Sequence, residues 1–317
     1  MKLVFCGTPQ FAVPTLEALV AAGHQVTLAL TQPDRPVGRN AEIKPTPVKA
    51  AALAHGIPVQ QPEKIKTNEA LRAHLEAIAP DAIIVVAYGR ILPQWMLDLP
   101  RYGSLNGHAS LLPRWRGAAP IQWAIASGDH QTGVTTMRLD AGLDTGPMLL
   151  RRSVPITPET TAPDLFQSLA VLGAELMIET LDGLAAGTIQ PEPQGNALAT
   201  HARPLIREDG QIDWTSPAAA IDARFRGFQP WPGAFTSFRG KKLIIHAMQA
   251  GTAPAHANSI AGQILKPTGV TGIPAIPVAC GDGHIALLHE VQLEGKKRIC
   301  AADFLRGHQI HPGELLG

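Results

Sequence analysis

Residues 83–87 read IIVVA and form the most strand-like stretch of the chain. β-branched residues favour strands, and an apolar run without polar alternation is typical of a parallel strand that is buried on both faces. Residues 2–6 and 25–31 are further apolar runs, and residues 16–20 between them have apolar side chains at helical spacing. This alternation of strands and helices predicts an α/β domain with a mostly parallel sheet.

The same pattern continues up to residue 188. Residues 104–108 and 133–139 are further strand candidates, and leucines at helical spacing predict a long helix over 161–187. The following stretch, 189–206, is rich in proline and has no regular period, which predicts a linker. We therefore expect a first domain over 1–188 and a second domain over 207–317.

Short strands separated by glycine and proline turns dominate the second domain. This pattern predicts a small β-barrel of about 100 residues. The predicted strands cover 234–238, 242–248, 262–265, 278–280 and 284–292.

Composition limits the class of protein. The chain has 317 residues, of which 45% are hydrophobic, so it can bury a large core. No apolar run is long enough for a transmembrane helix. Cys6, Cys280 and Cys300 are too widely spaced for a disulfide framework or a zinc site, and the first residues enter a strand without an export signal. We therefore expect a cytoplasmic protein without a metal.

The turn after the first strand does not have the pattern of a dinucleotide site. Residues 4–11 read VFCGTPQF, and the motif G-x-G-x-x-G is absent. The backbone therefore cannot approach a pyrophosphate in the usual way. This disfavours a nicotinamide-dependent oxidoreductase, which is one of three alternatives to the function considered below.

Two neighbouring stretches offer groups for catalysis. Residues 105–122 read LNGHASLLPRWRGAAPIQ, and residues 139–149 read LDAGLDTGPML. Asn106 and His108 alternate at the end of a predicted strand, so their side chains face the same way. Asp144 lies in the glycine-containing second stretch.

An amide, an imidazole and a carboxylate without a neighbouring nucleophile suit attack by the substrate's own nucleophile on a carbonyl. Asn106 and protonated His108 would stabilise the developing oxyanion, and Asp144 would keep His108 charged or relay a proton. The residues alone equally allow a structural interpretation, in which Asn106 caps a turn and Asp144 binds loop amides.

Longer motifs are more specific. NGHASLLPRWRGAAPIQ and GVTTMRLDAGLDTGPML resemble the 10-formyltetrahydrofolate-dependent formyltransferases, as do FCGTPQFAVPTLEAL, TQPDRPVGR, VVAYGRILP and RGFQPWPGAF. The resemblance extends over the whole chain. It implies a Rossmann-like formyl-transfer domain followed by an OB-like β-barrel that binds tRNA.

The resemblance also implies a reaction and its residues. A formyl group passes from 10-formyltetrahydrofolate, a co-substrate, to the α-amino group of methionine on initiator methionyl-tRNA. The catalytic pattern of the family falls on Asn106, His108 and Asp144. The residues expected to contact the folate are Arg90, Ile91, Leu92, Ser110, Leu111, Leu112, Pro113 and Asp140.

Contacts with the tRNA are expected from basic residues outside this cluster. In the family, the loop that corresponds to 32–47 enters the acceptor end of the tRNA, and Arg39 and Lys44 lie in it. This chain reads Asn-Ala-Glu at 40–42, where the family often has lysines. The family usually has lysines in the linker. Arg207 keeps the positive charge of one of them, whereas Pro204 stands in place of another. We expect no obligate protein partner and a monomer.

Phe11 is a candidate for the pocket of the methionine side chain, because it follows the first turn of the sheet. A core phenylalanine is the competing interpretation.

Two other functions remain open besides the oxidoreductase. A formyltransferase that acts on a small amine would use the same three residues, but it would need neither the basic loop nor the barrel. A tRNA-binding protein without catalytic activity would not need an intact Asn106, His108 and Asp144.

Overall fold

The computed structural model describes residues 1–37, 42–255, 258–266, 274–311 and 313–317. The chain forms two compact units. The first contains 1–120, 131–155 and 164–203, and the second contains 121–130, 156–163 and 204–317.

The strands, in chain order, are β1 (Lys2–Gly7), β2 (Gln25–Leu30), β3 (Arg35–Val37), β4 (Glu42–Lys44), β5 (Val59–Gln60), β6 (Ala82–Val86), β7 (Ser104–His108), β8 (Arg116–Gly117), β9 (Gln131–Arg138), β10 (Met148–Pro155), β11 (His201–Ala202), β12 (Ala234–Phe238), β13 (Lys241–Pro254), β14 (Ile276–Ala279), β15 (His284–Leu293) and β16 (Ile299–Cys300). The α-helices are α1 (Val13–Ala21), α2 (Pro47–Ala54), α3 (Glu69–Ile78), α4 (Gln94–Asp98), α5 (Pro120–Ala126), α6 (Ala162–Ala186), α7 (Ala218–Gly227) and α8 (Ala301–Gly307).

The first unit is built on a sheet whose strand order is β10-β9-β7-β6-β1-β2-β5. β6 lies in its middle between β1 and β7, and both of these pairs are parallel. All five residues of β6 are buried, which explains the absence of polar alternation in its sequence. Only β9 and β10, at one edge, are antiparallel to their neighbours.

A short second pairing brings the segment after α6 back to the first unit. His201 and Ala202 of β11 pair in parallel with Arg116 and Gly117 of β8. Gly117 has a φ of +116°, and a Cβ atom there would lie 2.6 Å from the carbonyl oxygen of Ala202. Glycine is therefore required for this close approach of two backbones. Much of the stretch predicted as a linker packs in this way within the first unit, and the predicted domain boundaries stay a prediction.

Within its described residues, the second unit contains an antiparallel sheet of order β12-β13-β15-β14, with β16 also paired to β15. Its apolar face packs around Trp214, Phe238, Val291 and Phe304, all of them buried. Such a sheet is typical of small OB-like barrels. The predicted fold class is confirmed: a mostly parallel α/β domain is followed by a small antiparallel β-domain.

Several local predictions need correction. The stretch 32–47, predicted as a loop, contains the antiparallel strands β3 and β4, because backbone pairing overrides its proline-rich, charged sequence. Residues 262–265, predicted as a strand, make only isolated bridges through Gln263 and Ile264. The sequence interpretation also omitted β10, α4, α5, α7 and α8, together with the two-residue strands β5, β8, β11 and β16.

No helix among the residues that the structure describes is long and apolar enough to cross a membrane.

The three cysteines should differ in reactivity. Cys6 and Cys280 are buried, whereas Cys300 is exposed. Burial raises the pKa of Cys280 to about 11, and it also raises the pKa of Cys6. Since the thiolate is the reactive form, at about pH 8 we expect one fast-reacting thiol in the native protein and three in denaturant. A colorimetric thiol titration measures this, and Cys300→Ser should abolish the fast phase. A second fast thiol in the native protein would contradict the burial of the other two.

Candidate active site

Asn106 and His108 lie on one face of β7, as the strand alternation predicted. Both side chains are nearly buried, with exposures of 9% and 6%. In the sheet register, Asn106 lies beside Val85 of β6, which lies beside Cys6 of β1. Asn106 therefore continues a row that is apolar on the neighbouring strands, and His108 lies two residues further along the same face of β7.

Asp144 reaches this pair from the opposite end of the sheet. Because β9 is antiparallel to β7, the loop after β9 begins beside Ser104, where Leu139 N–H donates to the Ser104 carbonyl. The loop then returns to bring Asp144 Oδ1 within 3.4 Å of Asn106 Nδ2, which donates to it. Asp144 Oδ2 accepts a hydrogen bond from the Gly117 backbone N–H at 2.9 Å.

His108 is held between two acceptors. Its Nε2 lies 2.8 Å from the Trp115 carbonyl oxygen, and its Nδ1 lies 3.7 Å from Asp144 Oδ2. A carbonyl oxygen can only accept, so Nε2 carries a hydrogen and donates it. The position that gains a proton when the imidazole becomes charged is therefore Nδ1, on the side of the carboxylate.

The loop between β7 and β8 contains four of the residues expected to contact folate. Ser110 is fully buried, and its hydroxyl donates to the Arg114 carbonyl at 2.6 Å. Leu112 is also buried, and its N–H donates to Thr135 Oγ1 at 3.1 Å. Leu111 and Pro113 are partly buried.

The other expected folate contacts differ widely in exposure. Arg90 Nε donates to Gln32 Oε1 at 3.1 Å, whereas Ile91 is 84% exposed and Leu92 is buried in the core. Asp140 is exposed and organises its own loop, because its Oδ1 accepts from Gly142 N–H and from the Thr145 hydroxyl. The assignment of these residues to a folate site stays a prediction.

The residues predicted to contact tRNA or methionine do not form one cluster. Lys44 is exposed at the end of β4, and Arg207 is exposed in the second unit. Phe11 is partly buried and packs edge-to-face on Phe166, with ring centroids 5.9 Å apart. Arg39 lies outside the described residues.

Lys44 borders an open cavity of about 630 Å³ in the first unit. Its lining includes the side chains of Thr8, Gln32, Arg35 and Arg90. The nearby carboxylate of Asp34 accepts hydrogen bonds from Lys49 and Gln61, and these bonds hold its pKa below the usual value. The charged residues among those that line the cavity, Arg35, Lys44 and Arg90, are all positive.

The sequence interpretation missed the residues that hold the cluster in place. They are Trp115, Arg116 and Gly117 around β8, together with Gln194 from the predicted linker. Gln194 Nε2 donates to the carbonyl oxygens of Asp144, at 2.9 Å, and Gly146, at 2.7 Å. No local signal marks Gln194, because its partners are far away in sequence.

Chemically, the cluster combines amide and imidazole donors with a carboxylate that approaches both. Such a set can stabilise negative charge on a carbonyl oxygen and can move a proton at Nδ1 of His108. Ser110, two residues from His108, is buried and donates its hydroxyl to the Arg114 carbonyl, so it is not oriented as a nucleophile.

Comparison with known proteins agrees with this geometry. The family model "Formyl transferase" matches residues 1–181, and the model "Formyl transferase, C-terminal domain" matches residues 204–309. The chain belongs to the formyl transferase family. The family predicted from the sequence motifs is therefore confirmed, and the protein is an enzyme of one-carbon group transfer.

Relatives within the family cover the chain from end to end. The methionyl-tRNA formyltransferase of Acidobacterium capsulatum is 58% identical over 317 residues and covers 100% of both chains. That of Koribacter versatilis is 56% identical over 100% of this chain and 99% of its own.

A solved N-formyltransferase from Helicobacter canadensis, in complex with folinic acid and dTDP-3-aminofucose, has the same fold at 19% identity. It has a TM-score of 0.65 and matches over 91% of this chain and 98% of its own.

Proposed function

We propose that the protein transfers the formyl group of 10-formyltetrahydrofolate to the α-amino group of methionine on initiator methionyl-tRNA, for translation initiation. The observation that carries the proposal is the cluster of Asn106, His108 and Asp144. It lies in a chain that is 58% identical, over its full length, to a methionyl-tRNA formyltransferase.

The attacking group needs little activation by the protein. An α-amino group has a pKa of about 8, so a useful fraction is neutral near pH 7. The folate supplies the formyl carbonyl on a nitrogen that can leave. As charge develops on the formyl oxygen, Asn106 Nδ2 and the imidazolium of His108 donate to it, and each such donor contributes about 3–4 kcal/mol.

The reaction is proton-neutral overall. The amino nitrogen loses one proton as its bond to the formyl carbon forms, and the folate nitrogen gains one as its own bond breaks. The imidazolium of His108 can give its Nδ1 proton to the folate nitrogen as that nitrogen leaves, and the amino nitrogen then returns a proton to Nδ1, which lies 3.7 Å from Asp144 Oδ2. Nε2 remains bonded to the Trp115 carbonyl, so the ring keeps its orientation during the transfer.

The chain offers a suitable surface for the folate. Ile91 follows β6 at the edge where the parallel strand β7 ends in His108, and its side chain is 84% exposed. An apolar side chain in this position can cover the flat ring of a pterin. Ser110–Pro113 and Asp140 are the other residues that would hold the folate.

Positive charge supports a contact with the tRNA. Arg35 and Lys44 border the open cavity, and phosphate contacts provide most of the affinity in such complexes. In the second unit, burial lowers the pKa of the Lys242 ammonium group, and the positive charge of Arg207 lowers it further. We assign both groups of cations to the phosphate backbone of the tRNA.

The function is tested by formyl transfer from 10-formyltetrahydrofolate to three acceptors: initiator methionyl-tRNA, elongator methionyl-tRNA and glycinamide ribonucleotide. We expect transfer to the initiator tRNA and little to the other two. Activity on the small amine alone would retain the chemistry but refute the assignment of a tRNA substrate. Equal activity on both tRNAs would refute selection of the initiator.

Removing the positive charge at Lys44 should affect binding of the tRNA and not the chemistry. For Lys44→Ala we expect KM for the tRNA to rise about 3- to 10-fold with kcat unchanged, because one phosphate contact is lost. The slope of log KM against log salt concentration should fall by about 1. Lys66→Ala, at another exposed position of the first unit, is the matched control. An unchanged salt slope for Lys44→Ala would contradict the contact.

A further inference from the structure

The loop that carries Asp144 has an unusual backbone. Asp144 has a φ of +52°, a conformation that residues with a side chain seldom adopt. Its carboxylate must nevertheless stay between Asn106 and His108. Something outside the loop therefore has to hold the main chain in this conformation.

Gln194 provides that contact. Its Nε2 donates to the Asp144 carbonyl at 2.9 Å and to the Gly146 carbonyl at 2.7 Å, so both of its hydrogens are used. Because these carbonyls lie two residues apart, one amide group spans the turn in which Asp144 lies. The contact comes from a segment 50 residues further along the chain.

Arg116 fixes the orientation of the Gln194 amide. Its Nε donates to Gln194 Oε1 at 2.9 Å, and its Nη2 donates to Asn196 Oδ1 at 3.0 Å. A guanidinium can only donate a hydrogen bond and a backbone carbonyl can only accept one. If the Gln194 amide were flipped, its Nε2 would face the donor of Arg116 and its Oε1 would face the two carbonyl oxygens. Arg116 is 4% exposed, so this arrangement is protected from water.

Strand β8 thus holds Asp144 in two ways. The Gly117 N–H binds the carboxylate, and the neighbouring Arg116 holds Gln194, which binds the main chain. Two adjacent residues of one strand therefore hold the side chain and the backbone of Asp144, Gly117 directly and Arg116 through Gln194.

We propose that Gln194 is a positioning residue for catalysis, which keeps the carboxylate of Asp144 in place for His108, and that Arg116 orients Gln194. This inference rests on the proposed function for its kinetic readout only. A displacement of a catalytic group by about 1 Å can lower the rate about 100-fold.

The test compares Gln194→Met, which has a similar size but no donor, with Gln194→Glu, which keeps an acceptor for Arg116 but places an oxygen against the two carbonyls. Gln194 is only partly buried, so both variants should fold. We expect kcat to fall about 10- to 100-fold in each, with an unchanged KM for the tRNA and a Tm lower by only a few degrees, because the lost hydrogen bonds also cost some stability. Gln190→Ala, an exposed glutamine of the same segment, is the control.

A double variant separates positioning from a general structural effect. In an Asp144→Asn background, Gln194→Met should lower kcat by less than about twofold, because the carboxylate that it positions is already absent. Full additivity of the two losses would overturn the proposal, as would single variants with the parental kcat.

Hydrogen–deuterium exchange provides a readout that does not depend on activity. Amides of residues 140–146 should exchange faster in Gln194→Met and remain unchanged in Gln190→Ala. If the parent protein formylated none of the acceptors, the proposed function would fail, while the exchange experiment would still decide whether Gln194 holds the loop. Unchanged exchange in Gln194→Met would overturn that role.

Discussion

His108→Ala is expected to lower kcat for formyl transfer about 1000-fold. The substitution removes one donor to the developing charge and the group that carries the proton. Each effect is typically worth about 100-fold or more, but the two losses do not multiply in full because one imidazole provides both. The tRNA should still bind, since the imidazole lies at 6% exposure between Trp115 and Asp144 and not among the exposed basic residues. Single-turnover formylation and a filter-binding titration measure the two quantities separately.

Two further variants make this result interpretable. His108→Gln keeps a donor for the Trp115 carbonyl but carries no proton, so it should lose nearly as much activity as His108→Ala while retaining the parental Tm. His55→Ala changes an exposed histidine and should leave kcat unchanged. A His108→Gln protein with near-parental kcat would exclude proton transfer by this residue.

Gly117→Ala should damage both stability and catalysis. The new Cβ would lie 2.6 Å from the Ala202 carbonyl oxygen, and the φ of +116° is strained for any residue with a side chain. Because β8 and β11 cannot separate without moving the Gly117 N–H away from Asp144, kcat should fall about 100-fold. The free energy of unfolding should fall by about 3 kcal/mol, measured by denaturant titration.

Gly56→Ala isolates the cost of backbone strain. Gly56 also has a positive φ, +68°, but a Cβ atom there meets nothing within 4 Å. We expect it to cost about 1 kcal/mol and to leave kcat unchanged. Equal losses for the two variants would show that contact with Ala202 contributes nothing beyond the backbone conformation.

The fold was largely predictable because apolar periodicity reports burial. The sequence interpretation placed β7 at 104–108 and β12 at 234–238, with the bounds that the structure has. It failed where polar residues conceal a strand. In β10 the residues after Leu149 alternate between partly buried and exposed and include two arginines, so the pattern was missed. In 32–47, prolines obscured the two short strands β3 and β4, which form by pairing with each other.

The candidate site was predictable only in part. The alternation of Asn106 and His108 on one strand is a local property, and the structure agrees with it. The approach of Asp144 was one of two interpretations of the residues until the resemblance favoured it, because its loop begins at the opposite end of the sheet and no local pattern places it beside His108. Gln194 and Arg116 act through contacts across 50 and 78 residues, and no periodic pattern reports such contacts.

The pairing of β11 with β8 determines where the chain can be divided. A fragment that ends at residue 188 would lack Gln194 and the backbone that pairs with Arg116 and Gly117. It would also lack the Thr200 hydroxyl, which accepts from the Trp115 N–H at 2.9 Å. Any excision, fusion or exchange of the catalytic half must therefore retain the chain at least through Ala202, or it separates the catalytic groups from the residues that support them.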